Sequence, residues 1–285
     1  MIKQIKEISD FLMQSQGIDI TAYEALYLKK TLQKRISHSE SNSLEEYFTL
    51  LKQSSIEGNL LVASLHNNYS EFFRNALTFA VLERIVLPSL VQKKKKTEIR
   101  VWSAACAQGQ EVYSIAMLLE ELRIGFNEKF KYRIFATDKC DAQIDIARIG
   151  KYPSSALNSI NFKRAANWFI KQNDMFTIKP ELKAYIDFSV FDLLDKKTIS
   201  PSVSIFGDFD IIICANLLFY FKPKNQKQIV NKISKSISDG GYIITGEAER
   251  EILLSLDFSE LFPQSGIFQK KMNTKHKKGH LELNI

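Results

Sequence analysis

The chain has 285 residues, enough for one large domain or two modest ones, with 45% hydrophobic and 25% charged side chains. Those proportions are ordinary for a globular protein. No run of about 18 apolar residues offers a membrane span, and Met1-Ile2-Lys3-Gln4-Ile5-Lys6 lacks the apolar core and cleavage site of a secretory signal. The cysteines, Cys106, Cys140 and Cys214, are odd in number and have no metal-ligand spacing, so no metal site is expected and a reducing, cytoplasmic location fits.

The net charge of +7 sits partly in local runs, Lys93 to Lys96 and the tail Lys270, Lys271, Lys275, Lys277 and Lys278. Two readings are open: solvated loops and a chain end, or attraction to an acidic partner, either nucleic acid or an acidic protein surface.

In chain order, residues 1–65 are expected to be helical throughout. Ile5, Ile8, Phe11 and Leu12 recur at helical spacing. A second helix is predicted over Tyr23 to Ile36 and a third over Leu44 to Leu51, with Ser43 at capping-box spacing from Glu46. The second helix carries Lys29, Lys30, Lys34 and Arg35, of which Lys30 and Lys34 share a face, while Leu26, Leu28, Leu32 and Ile36 supply apolar surface. Residues 66–92 form a bridge. It holds Asn68-Tyr69-Ser70-Glu71-Phe72-Phe73-Arg74 and then an amphipathic helix with Phe79, Leu82 and Ile85, predicted to stop near Pro88.

From residue 98 strand and helix signals alternate. The run that begins at Ile99 is a strand, Ser103 to Gly109 a loop of small residues, and Val112 to Leu122 a helix. Tyr132 to Asp138 is a second strand, followed by a helix with Ile144, Ile146 and Ala147. Phe209 to Asn216 is a continuous apolar run, Gln226 to Ile237 a helix, Asp239-Gly240-Gly241 a turn, and Tyr242 to Gly246 another strand. This alternation predicts an α/β fold with a doubly wound, mainly parallel sheet, whose ligand crevice lies beyond the carboxyl ends of the strands. Over 172–192 the pattern changes: Met175 to Ile178 and Tyr185 to Val190, joined by a turn at Lys179-Pro180-Glu181, are expected to form a small antiparallel insert. The predicted division is a helical domain over 1–65, a linker helix over 66–92, an α/β domain over 93–272 and a disordered basic tail over 273–285.

Several of these stretches, in this order, carry a family likeness. Asn68 to Arg74 resembles the motif Asn-x-Thr-x-Phe-Phe-Arg, with Ser70 for Thr. Trp102 to Ser114 is similar to Trp-Ser-Ala-x-x-x-x-Gly-Glu-Glu-Pro-Tyr-Ser, with Gln110 and Val112 replacing the first Glu and the Pro. Ala136-Thr137-Asp138 matches Ala-Thr-Asp. Cys214-Ala215-Asn216 followed by Tyr220-Phe221 resembles Cys-Arg-Asn-x-x-x-Tyr-Phe, with Ala for Arg. Gly246-Glu247-Ala248-Glu249 stands where the family has Gly-His-Ser-Glu. The family is that of the chemotaxis receptor methyltransferases, which use S-adenosylmethionine to methylate glutamate side chains. The resemblance covers roughly residues 20–271. It implies a class I methyltransferase-like sheet, an all-helical N-terminal domain, and that the insert is the family's β-subdomain.

The resemblance also implies roles. Asp138 is expected to receive the ribose hydroxyls, although an acid there also serves as a helix N-cap. Glu111 is expected to take the cofactor's ammonium group, or else to be a first-turn acid favoured by the helix dipole. Asp192 and Leu193 resemble an Asn-Leu pair near the adenine. Asn216 and Leu217 are expected beside the methionine part, and Asn68, Ser70, Arg74 and Ala105 complete the cofactor set. Arg74, whose planar fork fixes a carboxylate, and Tyr220, through its hydroxyl, are the candidate catalytic residues. A glutamate carboxylate is already ionised at neutral pH, so methyl transfer needs orientation and no general base. Lys29, Lys30, Lys34 and Arg35 are the candidate contacts to the acidic cytoplasmic signalling domain of a chemoreceptor. The chain is expected to act as a monomer, outside the membrane and without nucleic acid, releasing S-adenosylhomocysteine. Ala215 and Glu247 keep a second reading open, a member that binds cofactor or receptor with weakened catalysis. A nucleic-acid methyltransferase is opposed by the absence of an Asn-Pro-Pro-Tyr type motif after the central strand.

Overall fold

The computed structural model describes residues 2–65, 69–94, 97–125, 130–204, 207–256 and 258–270. Asn68, Lys95, Lys96 and the tail from residue 271 lie outside them. The chain divides into two compact units, Met1–Tyr69 with Leu217–Gln228, and Ser70–Asn216 with Ile229–Ile285.

The first unit contains α1 (Ile2–Gln16), α2 (Ala25–His38), α3 (Leu44–Gln53) and α4 (Ser55–Leu65). Ile8 and Leu12 form the buried stripe of α1. Glu24 opens α2 by accepting the Leu26 N–H at 2.9 Å. Ser43 caps α3 through the Glu46 N–H at 3.1 Å, and Glu46 reaches back to the Asn42 N–H at 2.8 Å, one residue beyond the reciprocal box expected. Leu28 and Leu32 of α2 are buried, whereas Leu26 is exposed. Residues 217–228 fold against α2: Phe221 stacks on Tyr23 at 5.0 Å between ring centres, and Tyr220 meets Tyr27 at 4.6 Å. The 217–228 stretch, expected within the α/β domain, therefore belongs to the helical unit.

One expectation for α2 is corrected. Arg35 does not present its charge to a partner protein. Its guanidinium holds the Glu57 carboxylate at 2.7, 2.8 and 3.0 Å, and Tyr47 donates to the same carboxylate at 2.8 Å. A buried acid needs this compensation, and Arg35 supplies it inside the helical core. Lys29, Lys30 and Lys34 remain exposed.

The second unit begins with α5 (Ala76–Val81), a π-helical turn over Leu82–Val86, and α6 (Leu87–Lys93). The helix passes through Pro88, where an end was predicted. The Leu87 N–H reaches back to the Leu82 carbonyl, so the widened turn places Pro88 in the opening turn of α6, where its missing N–H costs little. The extra residue rotates the helix face by about 100°, and Ile85 points outward while Phe79 and Leu82 stay buried.

Then follow β1 (Ile99–Ser103), α7 (Gln110–Gly125), β2 (Tyr132–Asp138), α8 (Asp141–Ile149), β3 (Lys151–Pro153), α9 (Phe162–Trp168), β4 (Phe169–Gln172), β5 (Met175–Ile178), α10 (Pro180–Lys183), β6 (Ile186–Val190), β7 (Phe209–Ile213), α11 (Pro223–Ser236), β8 (Ile237–Ile244), α12 (Arg250–Leu254) and β9 (Ile267–Gln269). The main sheet runs β6-β2-β1-β7-β8-β9, parallel except for the antiparallel edge strand β9. All of β7 is buried because helices cover both sides; its residues are apolar except Asp210, whose carboxylate pairs with Lys94 at 2.8 Å.

The antiparallel insert exists with other members than expected. Its sheet is β3-β5-β4, drawn from residues 151–178, whereas Ile186–Val190 pairs in parallel with β2 as the edge of the main sheet. A short edge strand with mixed polarity reads the same in either sheet, which is why the sequence misplaced it. The Asp239-Gly240-Gly241 turn is an irregularity inside β8, with Gly240 at φ +75° and a register shift against β7.

The buried triad of Arg35, Glu57 and Tyr47 yields a stability test. Arg35→Leu leaves a buried carboxylate without its cation and should cost about 3 kcal/mol. The double variant Arg35→Leu/Glu57→Leu should cost clearly less, and urea denaturation of both variants measures the difference.

Candidate functional site

The site grows from the carboxyl ends of the parallel strands. After β1 the chain turns through small residues: the Ala104 N–H reaches the Ile213 carbonyl at 2.8 Å and the Cys106 N–H reaches Thr137 at 2.9 Å. At the end of β2, one Asp138 oxygen accepts the Ala107 N–H at 3.0 Å and the other accepts the Cys140 N–H at 2.9 Å. Asp138 thus holds both neighbouring loops, and each oxygen keeps a lone pair for a hydroxyl donor. Ala105, on the first of these loops, is half-buried.

Glu111 lies in the first turn of α7 and accepts from the Ser103 hydroxyl at 2.9 Å. Burial pushes its carboxyl up to about 7; the Ser103 bond opposes this, the charge of Glu249 adds to it, and Arg74 lowers it. Arg74 is aimed by an anchored segment. Phe72 is fully buried against Tyr152 and Phe169 at 5.0 and 5.6 Å. The Phe73 N–H donates to the Ser114 hydroxyl at 2.9 Å, and both neighbours of Arg74, Phe73 and Asn75, take left-handed backbone at φ 51° and 64°. Side chains adopt that region only when their surroundings hold them there. Ser70, half-buried, begins this segment.

A cavity of about 480 Å³ opens between these elements and the ends of β7 and β8. Arg74, Glu111 and Asn216 share its wall with Phe79, Leu82, Ile115, Ile213, Ile244, Thr245, Gly246 and Glu247. Asn216 is left-handed at φ 59° and gives its N–H to Glu249 at 2.7 Å. A Cβ on Gly246 would fall 2.5 Å from the side-chain Nδ2 of Asn216 and 3.0 Å from its backbone nitrogen, so glycine suits this close approach. The Thr245 hydroxyl is buried with no hydrogen-bond partner among the described residues.

Three of the expected site residues, Arg74, Glu111 and Asn216, therefore meet in one cavity. Asp192 and Leu193 lie on the loop after β6. There Asp192 accepts the Leu194 N–H at 2.8 Å and pairs with Lys139 at 2.9 Å, while Lys232 donates to the carbonyls of Asp192 and Asp195. Leu217 and Tyr220 belong to the helical unit, and Asn68 lies outside the described residues. The sequence reading missed the apolar half of the cavity, formed by Phe79, Leu82 and Ile115 on helices and by Ile213 and Ile244 at strand ends. Their signal was the continuous apolar runs before Asn216 and Gly246, which look the same whether they pack on protein or on ligand.

The donor set suits one kind of ligand. A half-buried carboxylate and a guanidinium lining one partly apolar cavity match the ammonium and carboxylate of an amino acid, and an acid with spare lone pairs at the next strand end matches a ribose. S-Adenosylmethionine carries both ends, so fold and site together define a methyltransferase of the α/β class. Comparison with known sequences narrows this. The family model described as CheR methyltransferase, SAM binding domain, matches residues 68–263, and the one described as CheR methyltransferase, all-alpha domain, matches residues 3–65. A chemotaxis protein methyltransferase of Listeria innocua is 32% identical over 242 residues, covering 85% of this chain and 87% of that protein. One from Borreliella burgdorferi is 28% identical over 254 residues, 86% of this chain and 87% of its own length. One from Pseudomonas putida is 30% identical over 246 residues, 84% and 87%. The chain belongs to the CheR methyltransferase family, and its cofactor is S-adenosylmethionine.

The raised Glu111 carboxyl sets a pH dependence. Ionised Glu111 attracts an ammonium group and protonated Glu111 does not. Affinity for S-adenosylhomocysteine should be flat above pH about 7 and fall roughly tenfold per pH unit below it, because one proton then competes with the ligand. Calorimetric titration at several pH values checks this, and Glu111→Gln should remove the dependence.

Proposed function

We propose that the protein transfers the methyl group of S-adenosylmethionine to glutamate side-chain carboxylates on the signalling domain of a chemoreceptor, forming methyl esters, and that it does so in the cytoplasm. The observation that carries this reading is the meeting of Arg74 and Glu111 in one cavity at the strand ends, in a chain of this family. Among the described residues no helix is long and apolar enough to cross a membrane, which accords with a protein that meets its receptor from the aqueous side.

When bound, the cofactor supplies a methyl group on a sulfonium, which an ionised carboxylate attacks directly. The protein's task is then placement and partial desolvation of that carboxylate, worth ~7 kcal/mol or more in favourable cases. Glu111 holds the cofactor's ammonium. Arg74, fixed by Phe72 and by its two left-handed neighbours, presents a planar fork to the carboxylates that meet there. Asp138 takes the ribose hydroxyls, with Ala105 and Ser70 close to the cofactor and Asp192 and Leu193 beside the adenine. Asn216 lies by the methionine part, and Asn68 and Leu217 complete the set as the resemblance implies. For Tyr220 we assign the second contact to the acceptor on the strength of the resemblance. Lys29, Lys30 and Lys34 form an exposed basic stripe on α2 suited to an acidic helical surface.

Two measurements test this reading. Labelled cofactor and a receptor signalling domain should give a base-labile methyl ester, and Arg74→Ala should lower its formation about 100-fold or more, equivalent to ~2.7 kcal/mol of lost transition-state stabilisation. Base-stable label would reject the ester. Reversing Lys29, Lys30 and Lys34 to Glu should raise the KM for the receptor substantially at low salt and leave cofactor affinity unchanged. Unaltered receptor KM would remove the helix from the interface.

A further inference from the structure

We propose that Glu249 is a positioning residue of the methyl-transfer site: its carboxylate ties the ends of β7 and β8 into one cavity wall and fixes the charge that this wall presents to a cationic ligand. The second half of the proposal rests on the reading of the cavity as the cofactor's amino-acid site; the first half does not.

Glu249 is fully buried. One of its oxygens accepts two backbone N–H groups, from Asn216 at 2.7 Å and from Gly246 at 2.9 Å. An acid three residues into a helical turn commonly caps the turn's own first N–H, as Glu249 does with Gly246. The bond to Asn216 is of another kind. It joins a strand end 33 residues away in sequence, and it satisfies an N–H that left-handed backbone at φ 59° turns away from the sheet ladder. Asn216 and Gly246 then press together in a close approach that glycine suits. Both residues line the cavity. The shape of that wall thus depends on one carboxylate behind it.

The charge matters as well as the acceptor. Glu249 is fully buried and Glu111 half-buried at the surface of the cavity; the raised proton affinity of Glu111 comes first from desolvation, with the charge of Glu249 adding to it. One acid on the wall, Glu111, and one behind it, Glu249, create a demand for positive charge, which a ligand with an ammonium and a sulfonium meets.

Two variants separate geometry from charge. Glu249→Gln keeps an oxygen acceptor for the two N–H groups and removes the charge. Glu249→Ala removes both. In Glu249→Ala without ligand, the Asn216 and Gly246 amide protons should exchange at least tenfold faster, with the sheet core unchanged; in Glu249→Gln they should stay protected. For S-adenosylhomocysteine binding by calorimetry, Glu249→Gln should lose about tenfold affinity on the alkaline plateau, and the midpoint of its pH profile should move to lower pH. A fault in folding alone weakens binding without moving that midpoint. Unchanged amide exchange in Glu249→Ala would overturn the positioning role. A Glu249→Gln profile that superimposes on the wild type, with Glu111→Gln abolishing the pH dependence, would overturn the charge role. If Glu111→Gln itself leaves the profile unchanged, the assignment of Glu111 to the ammonium fails, the charge role fails with it, and the amide data alone decide the positioning role.

Discussion

A parallel sheet ends in backbone groups that no further strand residue satisfies, and in this protein carboxylates satisfy them. Asp138 takes two N–H groups at the end of β2, Glu249 takes two where β7 and β8 end, and Asp192 takes one after β6. Glu111, at the start of α7, is held by the Ser103 hydroxyl that closes β1. Unpaired buried N–H groups are costly, so each acid stabilises its loop. Each acid also places negative charge along the edge where a ligand must enter. The same side chains therefore shape the edge and, Asp192 being paired with Lys139, leave negative charge there chiefly from Asp138, Glu111 and Glu249.

This double duty explains what was legible in the sequence. Asp138 and Glu111 had two readings each, a structural one and a ligand one. Asp138 is not the expected helix N-cap, because Cys140 opens α8 without a side-chain cap bond; Asp138 instead accepts the Ala107 and Cys140 N–H groups, while Glu111 sits in the first turn of α7 as expected and also accepts from Ser103. A carboxylate has lone pairs for both tasks, so the readings were never exclusive. The parallel sheet was legible because strands buried on both faces read as continuous apolar runs, as Phe209 to Ile213 does. The edge strand Ile186–Val190 was assigned to the wrong sheet because half-covered strands lack that signature. Arg35 was misread because a helix's basic residues look alike in sequence, and only the fold brings Glu57 and Tyr47 to one of them. Pro88 misled because its usual effect as a helix breaker is cancelled by the π-helical turn before it.

The departures from the family pattern divide by location. Val112, in place of Pro, is buried in α7, where an ordinary helical residue serves. Gln110 replaces a Glu and is buried too, its side-chain oxygen without a hydrogen-bond partner among the described residues. A neutral amide there leaves a smaller desolvation cost than a carboxylate would. Ala215 and Glu247 differ in kind, because both line the cavity. Where the pattern has Arg and His, this chain has a methyl group and a carboxylate, so the cavity has become less basic.

That shift bears on what the cavity can hold. With exposed Glu247 and half-buried Glu111 on its wall and Glu249 buried behind it, Arg74 is the cation among the described lining residues. The carboxylate acceptor proposed above brings one more negative charge, and in a site of low polarity like charges at close range disfavour each other strongly. The cofactor's net positive charge offsets part of this. The anchoring of Arg74 follows from the same balance. The buried Phe72, with the Phe73 N–H held by Ser114, fixes the backbone from which the Arg74 guanidinium points.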